Sequence, residues 1–324
     1  MVLKILDGTI EKPWIKLKEM VDYEDYEMIN ELQEIITAES HTALKLELDY
    51  KLSINRENES LSSIQNVNEF MYFNGQQLIG YVGICNFGDA LEVNGMVHPL
   101  YRQQGVFTKL TDLVIAEWRR RNSGSLLLLT DRKSNSGQQF IKKIGAQYKL
   151  SEYEMFLKDE NIVVPQMSLG GITFRKANNA DANEIVRQNA IYFNDENCSN
   201  TANDSETEPE KTLPTDMLIL PEEEEKRGMT IYLAEKNQQI IGKVNLQLNS
   251  SIGGIYGLGV LPEHRRKGFG RAILMMAIEK LKEENASEVM LQVATENANA
   301  LNLYKSCGFV TTSTMDYYEM RASG

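Results

Sequence analysis

Hydrophobic and polar positions along the chain fall into a block that occurs twice. The first occurrence opens with apolar runs at Phe70 to Phe73 and Leu78 to Ile84, separated by Asn74-Gly75. Asn-Gly between β-capable runs supplies the backbone of a tight turn, so the pair predicts a β-hairpin. A further strand is predicted over Leu91 to Val97, then a helix whose Leu110, Leu113, Val114 and Trp118 share one face. The second occurrence has a strand ending at Val260, a helix with Leu274, Ala277, Ile278 and Leu281 on one face, and a strand over Val289 to Val293. Ahead of the first block, Tyr26, Ile29, Leu32, Ile35 and Ile36 predict an amphipathic helix. Ahead of the second, Ile172 to Arg175 predicts a strand, and Asp181-Ala182-Asn183-Glu184 an acidic helix start.

The spacing between the two blocks is nearly constant. Val97, Pro99, Arg102, Gly105 and Gly145 each lie 163 positions before Val260, Pro262, Arg265, Gly268 and Gly308, and Gln76 to Gly80 lie 162 before Gln238 to Gly242, by subtraction of residue numbers. A register held over so many landmarks implies two tandem copies of one fold. The strand-like Tyr153 to Leu157, the polar Lys158 to Asn161 and Gly170-Gly171 put the junction near residues 159 to 171. The expected domains are residues 1–160 and 167–324. Each half of a 324-residue chain is long enough to bury its own core.

Charge narrows the classes of function. The formal net charge of −12 is split evenly, −6 for residues 1–166 and −6 for the rest, so no basic stripe is available to a nucleic-acid backbone. Acidity of this kind suits cationic small substrates. Residues 194–225 concentrate it, with Asp195, Glu196, Asp204, Glu206, Glu208, Glu210, Asp216 and the run Glu222 to Glu225; they read as a solvated loop and an acidic helix start, or alternatively as carboxylates presented to a cationic amine. Cys85, Cys198 and Cys307 lie far apart, without a C-x-x-C pair or a histidine at metal spacing, so neither a disulfide framework nor a metal site is expected. The N-terminal segment meets Asp7 too early for a secretion signal, and no apolar run approaches the ~20 residues of a membrane span. A cytoplasmic protein without membrane partners is the expectation.

The chemistry concentrates in Ile255 to Ala272, a strand, a basic glycine loop and a helix start. A helix N-terminus presents unpaired amides and the positive end of a dipole, so it attracts phosphate. Gly268 and Gly270 remove side chains that would hold a diphosphate away, and Arg265, Arg266, Lys267 and Arg271 surround the loop with positive charge. A nucleotide P-loop is excluded because Arg271-Ala272 follows Gly270 in place of Lys-Ser/Thr, and a dinucleotide fingerprint because Ile273 stands where its third glycine belongs.

Arg265-x-x-Gly268-x-Gly270 after a strand ending in Val260 and Pro262 resembles the acetyl-coenzyme A loop of the GNAT N-acetyltransferases. Asn297-x-x-Ala300-x-x-Leu303-Tyr304-x-x-x-Gly308-Phe309 is similar to the element that follows it in that family. The resemblance implies two tandem GNAT-type acyl-coenzyme A N-acyltransferase domains. Each would be a mixed α/β fold, with a mostly antiparallel sheet, flanking helices, and fourth and fifth strands that run parallel and then splay. It implies that backbone near Leu258, Gly259 and Val260 holds the pantetheine arm, with Gly257 and Gly259 permitting a bulge. Arg265, Arg266, Lys267, Gly268, Phe269, Gly270, Arg271 and Ala272 would hold the diphosphate, and Asn297 would fasten the arm. Tyr304 corresponds to the general acid that protonates the leaving thiolate. Residues 255 to 260 carry no acid, so no general base is legible there.

The first copy departs from this pattern. Phe107 stands at the position of Gly270, Ile141 at that of Tyr304 and Ser134 at that of Asn297. Val97, Arg102, Gln103, Gln104, Gly105, Val106 and Phe107 form a possible second cofactor site in a degenerate, non-catalytic domain. The expected function is acetyl transfer to a primary amine of a cationic small molecule or lysine-like acceptor, by a monomer or homodimer. The competing expectations are an acyl-coenzyme A sensor without catalysis and an acyltransferase with another donor or acceptor.

Overall fold

The computed structural model describes residues 8–55, 66–86, 90–122, 124–158, 171–193 and 220–320. Two compact units emerge, one comprising residues 1–154 with 312–324, the other residues 155–311. The sequence reading puts 312–324 with the second domain; the structure groups them with the first, because the last strand pairs there.

In the first unit, β1 (Pro13–Lys18), β2 (Glu69–Asn74), β3 (Gln77–Asn86) and β4 (Ala90–Val97) form an antiparallel run, with β5 (Ser125–Asp131) parallel to β4. The expected hairpin is present, with Gly75 at φ 62°. The far edge of β5 is taken by β12 (Phe309–Met320), where Met315 to Met320 pair antiparallel with Asp131 to Leu126. The physical reason is chemical as well as steric. Asp316, almost fully buried, accepts from Arg132 Nη2 at 2.6 Å, Ser151 Oγ at 2.6 Å and Gln138 Nε2 at 3.0 Å, all within this unit. β6 (Gln147–Leu157) carries Ser151, and α4 (Asn135–Ile144) carries Gln138.

One face of this sheet packs on α3 (Val106–Arg121), whose Val106, Leu110, Val114 and Trp118 are buried against Ile79, Val82, Val93 and Leu126. The other packs on α1 (Tyr23–Ser40) through Ile29, Leu32 and Ile36. Ile35, expected on that buried face, is exposed. The sequence also gave no sign of α2 (Leu48–Asn55), whose Lys51 is buried against Glu69 at 2.8 Å.

The second unit repeats the plan with β7 (Ile172–Lys176), α5 (Ala182–Phe193), α6 (Pro221–Lys226), β8 (Met229–Lys236), β9 (Gln239–Asn249), β10 (Ile252–Val260), α7 (Phe269–Glu283), β11 (Glu288–Ala294) and α8 (Ala298–Ser306). Strand order is β11-β10-β9-β8-β7, antiparallel except for β10 and β11. The apolar stripe of α7, Leu274, Ala277, Ile278 and Leu281, is buried as its spacing requires. Among the described residues no helix is long and apolar enough to cross a membrane.

Ending the chain after Thr311 should therefore unsettle the first unit rather than the second. Hydrogen exchange should show lost protection at Leu126 to Asp131 with α7 unchanged; the reverse pattern would contradict the strand assignment. Asp316→Ala should cost roughly 2 kcal/mol in denaturant unfolding, since the buried Ser151 hydroxyl and the part-buried Arg132 and Gln138 lose their acceptor.

Candidate functional site

In both units the parallel pair separates early. β4 and β5 pair over Ala90 to Val93, β10 and β11 over Ile252 to Ile255, and beyond those points the strands have no further rungs. The units differ in what happens next. β4 stays in unbroken register with β3 from Leu91 to Val97. In β10 the ladder with β9 shifts between Tyr256 and Gly259, so that Gly257 and Leu258 lie opposite Val244 alone. This is a β-bulge, and it accounts for the step from a 162- to a 163-residue repeat spacing. Gly257 sits at φ 53°, and a Cβ on Gly259 would lie 2.1 Å from the Tyr192 ring of α5, so both glycines are demanded locally. Leu258 is thereby released from the β9 ladder, its backbone available beside the splay.

The loop after β10 delivers a helix N-terminus. Arg266 takes φ 61° and Gly268, the N-cap of α7, φ 82°. The amide of Ala272 is the one that closes onto Gly268 O, at 3.2 Å, which leaves the amides of Phe269, Gly270 and Arg271 outside the intrahelical ladder. A Cβ on Gly268 would meet nothing within 4 Å, while one on Gly270 would be in ordinary contact with Leu303 at 3.4 Å and Val260 at 3.8 Å, so the very start of α7 is left open by the protein's own packing. Such a cradle fits a diphosphate. Three of the four expected cations are partly committed elsewhere. Arg265 Nε donates to Val260 O at 3.0 Å, Lys267 Nζ to Glu263 O at 2.8 Å, and Arg271 to Ser306 O at 3.2 Å. They brace the loop, while Arg266 has no partner among the described residues. Lys236 lies 4.7 Å from the Phe269 ring centre and adds a further positive charge.

Tyr304 projects from α8, mostly buried, with its ring edge-on to Phe309 at 6.2 Å. Its hydroxyl has no hydrogen-bond partner among the described residues, and burial pushes its pKa up to about 12, so it holds its proton. Asn297 caps α8, accepting from the Ala300 amide at 3.1 Å; that is the helix-capping use of this side chain. Cys307 closes the same helix, buried with its thiol pKa raised by burial, as an inert residue would be. Of the acidic segment, residues 194–219 lie outside the described residues. Glu222 to Glu225 open α6 and are engaged locally, Glu222 with Asn179 at 2.9 Å, Glu223 with Lys226 at 2.8 Å, Glu224 with Arg227 at 3.0 Å and Glu225 with Lys176.

Sequence reasoning missed Lys243. It lies opposite Gly259 in the ladder, 1% exposed, with Nζ donating to Asn245 Oδ1 at 3.2 Å and Gly257 O at 3.4 Å. Burial alone lowers its pKa to about 8. A lysine in an alternating strand reads as solvent-facing, and nothing local marks this one as buried.

The first unit has a cleft of about 420 Å³ at its own splay. Val97, Arg102, Gln103, Gly105, Val106 and Phe107, all expected there, line it. The loop repeats the backbone of its counterpart, with Gln103 at φ 61° and Gly105 at φ 81°, and Lys109 N closes onto Gly105 O at 3.0 Å. Arg102 Nε donates to Val97 O at 3.2 Å, as Arg265 does to Val260, and Arg102 also pairs with Glu39 at 3.0 Å. Gln104 turns aside to Gly8 O at 2.8 Å. Phe107 packs edge-on against Phe140 at 4.7 Å. Ile141, at the position of Tyr304, is buried and offers no proton; Ser134 caps α4 through the Gly137 amide at 3.2 Å.

Residues 194–309 match the family model described as the acetyltransferase (GNAT) family. A mycothiol acetyltransferase of Thermobispora bispora is 37% identical over 92 residues, which cover 26% of this chain and 31% of that protein. An N-alpha-acetyltransferase of Sulfurisphaera tokodaii is 39% identical over 67 residues, 20% of this chain and 40% of that protein. The chain thus spans well under half the length of these two relatives. A mycothiol acetyltransferase of Paenarthrobacter aurescens aligns over 251 residues at 26% identity, covering 74% of this chain and 73% of that one. In fold, the chain is similar to a GCN5-related N-acetyltransferase from Sphaerobacter thermophilus, with TM-score 0.66 and 16% identity over 95% of each chain. It is also similar to a tandem GNAT protein from the clavulanic acid biosynthesis pathway, with TM-score 0.64 and 13% identity over 97% of this chain and 99% of that one.

Because a Cβ on Gly270 would meet only ordinary contacts, Gly270→Glu should fold normally and bring a carboxylate to the first turn of α7. Calorimetric affinity for coenzyme A in this unit should fall by about tenfold or more. Unchanged affinity at unchanged Tm would remove the phosphate cradle from α7.

Proposed function

We propose, because residues 194–309 match the GNAT acetyltransferase family, that this chain is an acetyl-coenzyme A-dependent N-acetyltransferase. In this reading its second unit transfers acetyl to a primary amine of a cationic small molecule or a lysine-like group. The observation that carries the reading is the bulge in β10 beside a free helix N-terminus, with an unpartnered, protonated tyrosine on α8.

Bound there, acetyl-coenzyme A supplies the acetyl group as a thioester. The amides of Phe269, Gly270 and Arg271, with Arg266, hold the diphosphate through charge-assisted hydrogen bonds. The backbone released at Leu258 offers a donor to a carbonyl oxygen, fixed before any charge develops. Tyr304 keeps its proton at Oη across the neutral range and gives it to the departing sulfur. The even acidity of the chain favours a cationic acceptor, and the names of the relatives are compatible with an amine.

The first unit we assign a binding role without turnover. It keeps the splay, the loop backbone and an open cleft, but β4 has no bulge and Ile141 no proton. Gln103, Gln104 and Thr108 replace Arg266, Lys267 and Arg271, so its hold on a diphosphate should be the weaker one.

Tyr304→Phe preserves the ring packing and removes only the hydroxyl. We expect kcat for acetyl transfer to fall by about 10²- to 10³-fold with the acetyl-coenzyme A Kd unchanged. Full turnover at pH 7 would show that another group protonates the sulfur. Titrating acetyl-coenzyme A into the intact chain should give a tight and a weak site. Thr108→Glu, a substitution compatible with a first helical turn, should remove the weak one alone; loss of the tight site instead would reverse the roles of the two units.

A further inference from the structure

Among the described residues of the second unit, Lys243 is a buried charge-bearing side chain that the binding machinery leaves unexplained. A lysine ammonium buried without a counter-charge costs several kcal/mol, and strands rarely keep one without a use. No carboxylate among the described residues acts on it. β8 presents Leu233 to it, β10 presents Gly257 and Gly259, and β9 presents Asn245. Tyr192 of α5 packs on Gly259 and is the titratable group on this side. Burial raises the Tyr192 pKa, its hydroxyl donates to Gln188 Oε1 at 2.8 Å, and the charges acting on it, Arg265, Glu184, Arg187 and Glu263, do not act on Lys243.

The hydrogen bonds around Nζ match the uncharged amine. An –NH₂ group has two N–H bonds, and two acceptors are in place, Asn245 Oδ1 and Gly257 O. The lone pair is then left over. An ammonium in the same position would carry a third N–H with no acceptor among the described residues. Gly257 O belongs to the bulge itself, so the amine stands one residue from Leu258, at the strand segment where a thioester carbonyl would be polarised.

We propose that Lys243 is the general base of the transfer, taking the proton from the acceptor ammonium so that its nitrogen can attack. This rests on the acetyltransferase reading above. One proton moves from the acceptor ammonium to Lys243 Nζ, the freed nitrogen attacks, and as the C–S bond breaks the sulfur takes the proton of Tyr304. The second proton of the attacking nitrogen passes to the Tyr304 phenolate and leaves a neutral amide. Lys243 ends as an ammonium and returns its proton to water, so one proton is released overall. The assignment also explains why no acid is needed on β10.

Three measurements on the full chain test it. In protein labelled with ¹³C at lysine Cε, the signal lost in Lys243→Arg should titrate at about 8, set apart from lysines near ~10.4. A midpoint in the ordinary lysine range overturns the proposal whether or not an acceptor is known. With spermidine, kanamycin and an N-terminal peptide as probe amines, wild-type kcat/KM should rise with pH through about 8. Lys243→Met, which fits the buried site without charge, should lose about 10²- to 10³-fold at pH 8, and Lys243→Arg should lose as much. Both should approach wild type near pH 10, where the probe amine arrives uncharged. If Lys243→Arg keeps the rate while Lys243→Met loses it, the side chain reads charge and is not a base. If both keep the rate, it is structural. Absence of transfer by the wild type to every probe counts against the acetyltransferase reading, while transfer that is indifferent to Lys243 counts against this assignment alone.

Discussion

Two parallel strands that pair for four residues and then part set the terms for everything else in this protein. Beyond Ile255 and Leu291 the peptide groups of β10 on that side have no strand to bond, and a buried peptide group without a partner is costly. The fold keeps this edge because α7 starts directly behind it and α5 covers the other side. The same parting occurs past Val93 and Leu128 in the first unit, where it opens onto the cleft of about 420 Å³.

At this parting the two units differ by one residue of strand register. The bulge at Gly257 and Leu258 adds one position to β10, turns backbone toward the splay and brings Gly257 O against Lys243. Without it, β4 runs as an ordinary strand and the first cleft retains shape without reactive groups. Divergence after duplication here took the form of a one-residue change in register, together with Ile141 in place of a tyrosine.

Much of this was legible in the sequence. The hairpins, the helices with clean apolar stripes, the glycine loops and the duplication follow from periodicity and spacing, which are local properties. The bulge was present as the mismatch between repeat spacings of 162 and 163, though its meaning needs the β9 ladder. Three features were beyond local reading. The membership of residues 312–324 in the first unit depends on strand pairing with β5, to which Asp316 gives no local clue. The bracing roles of Arg265 and Arg271 depend on carbonyls reached only in the fold. Lys243 looks like any lysine of an alternating strand until its burial and its two acceptors are seen.

The central claim, that the second unit moves an acetyl group to an amine, is tested most directly with acetyl-coenzyme A carrying a deuterated acetyl group. Mass spectrometry of the amine and thiol detection are followed together in one reaction. The account predicts one labelled amide per thiol released, with thiol release dependent on the amine. Thiol released at the same rate without any amine, or none released with any amine, would contradict it.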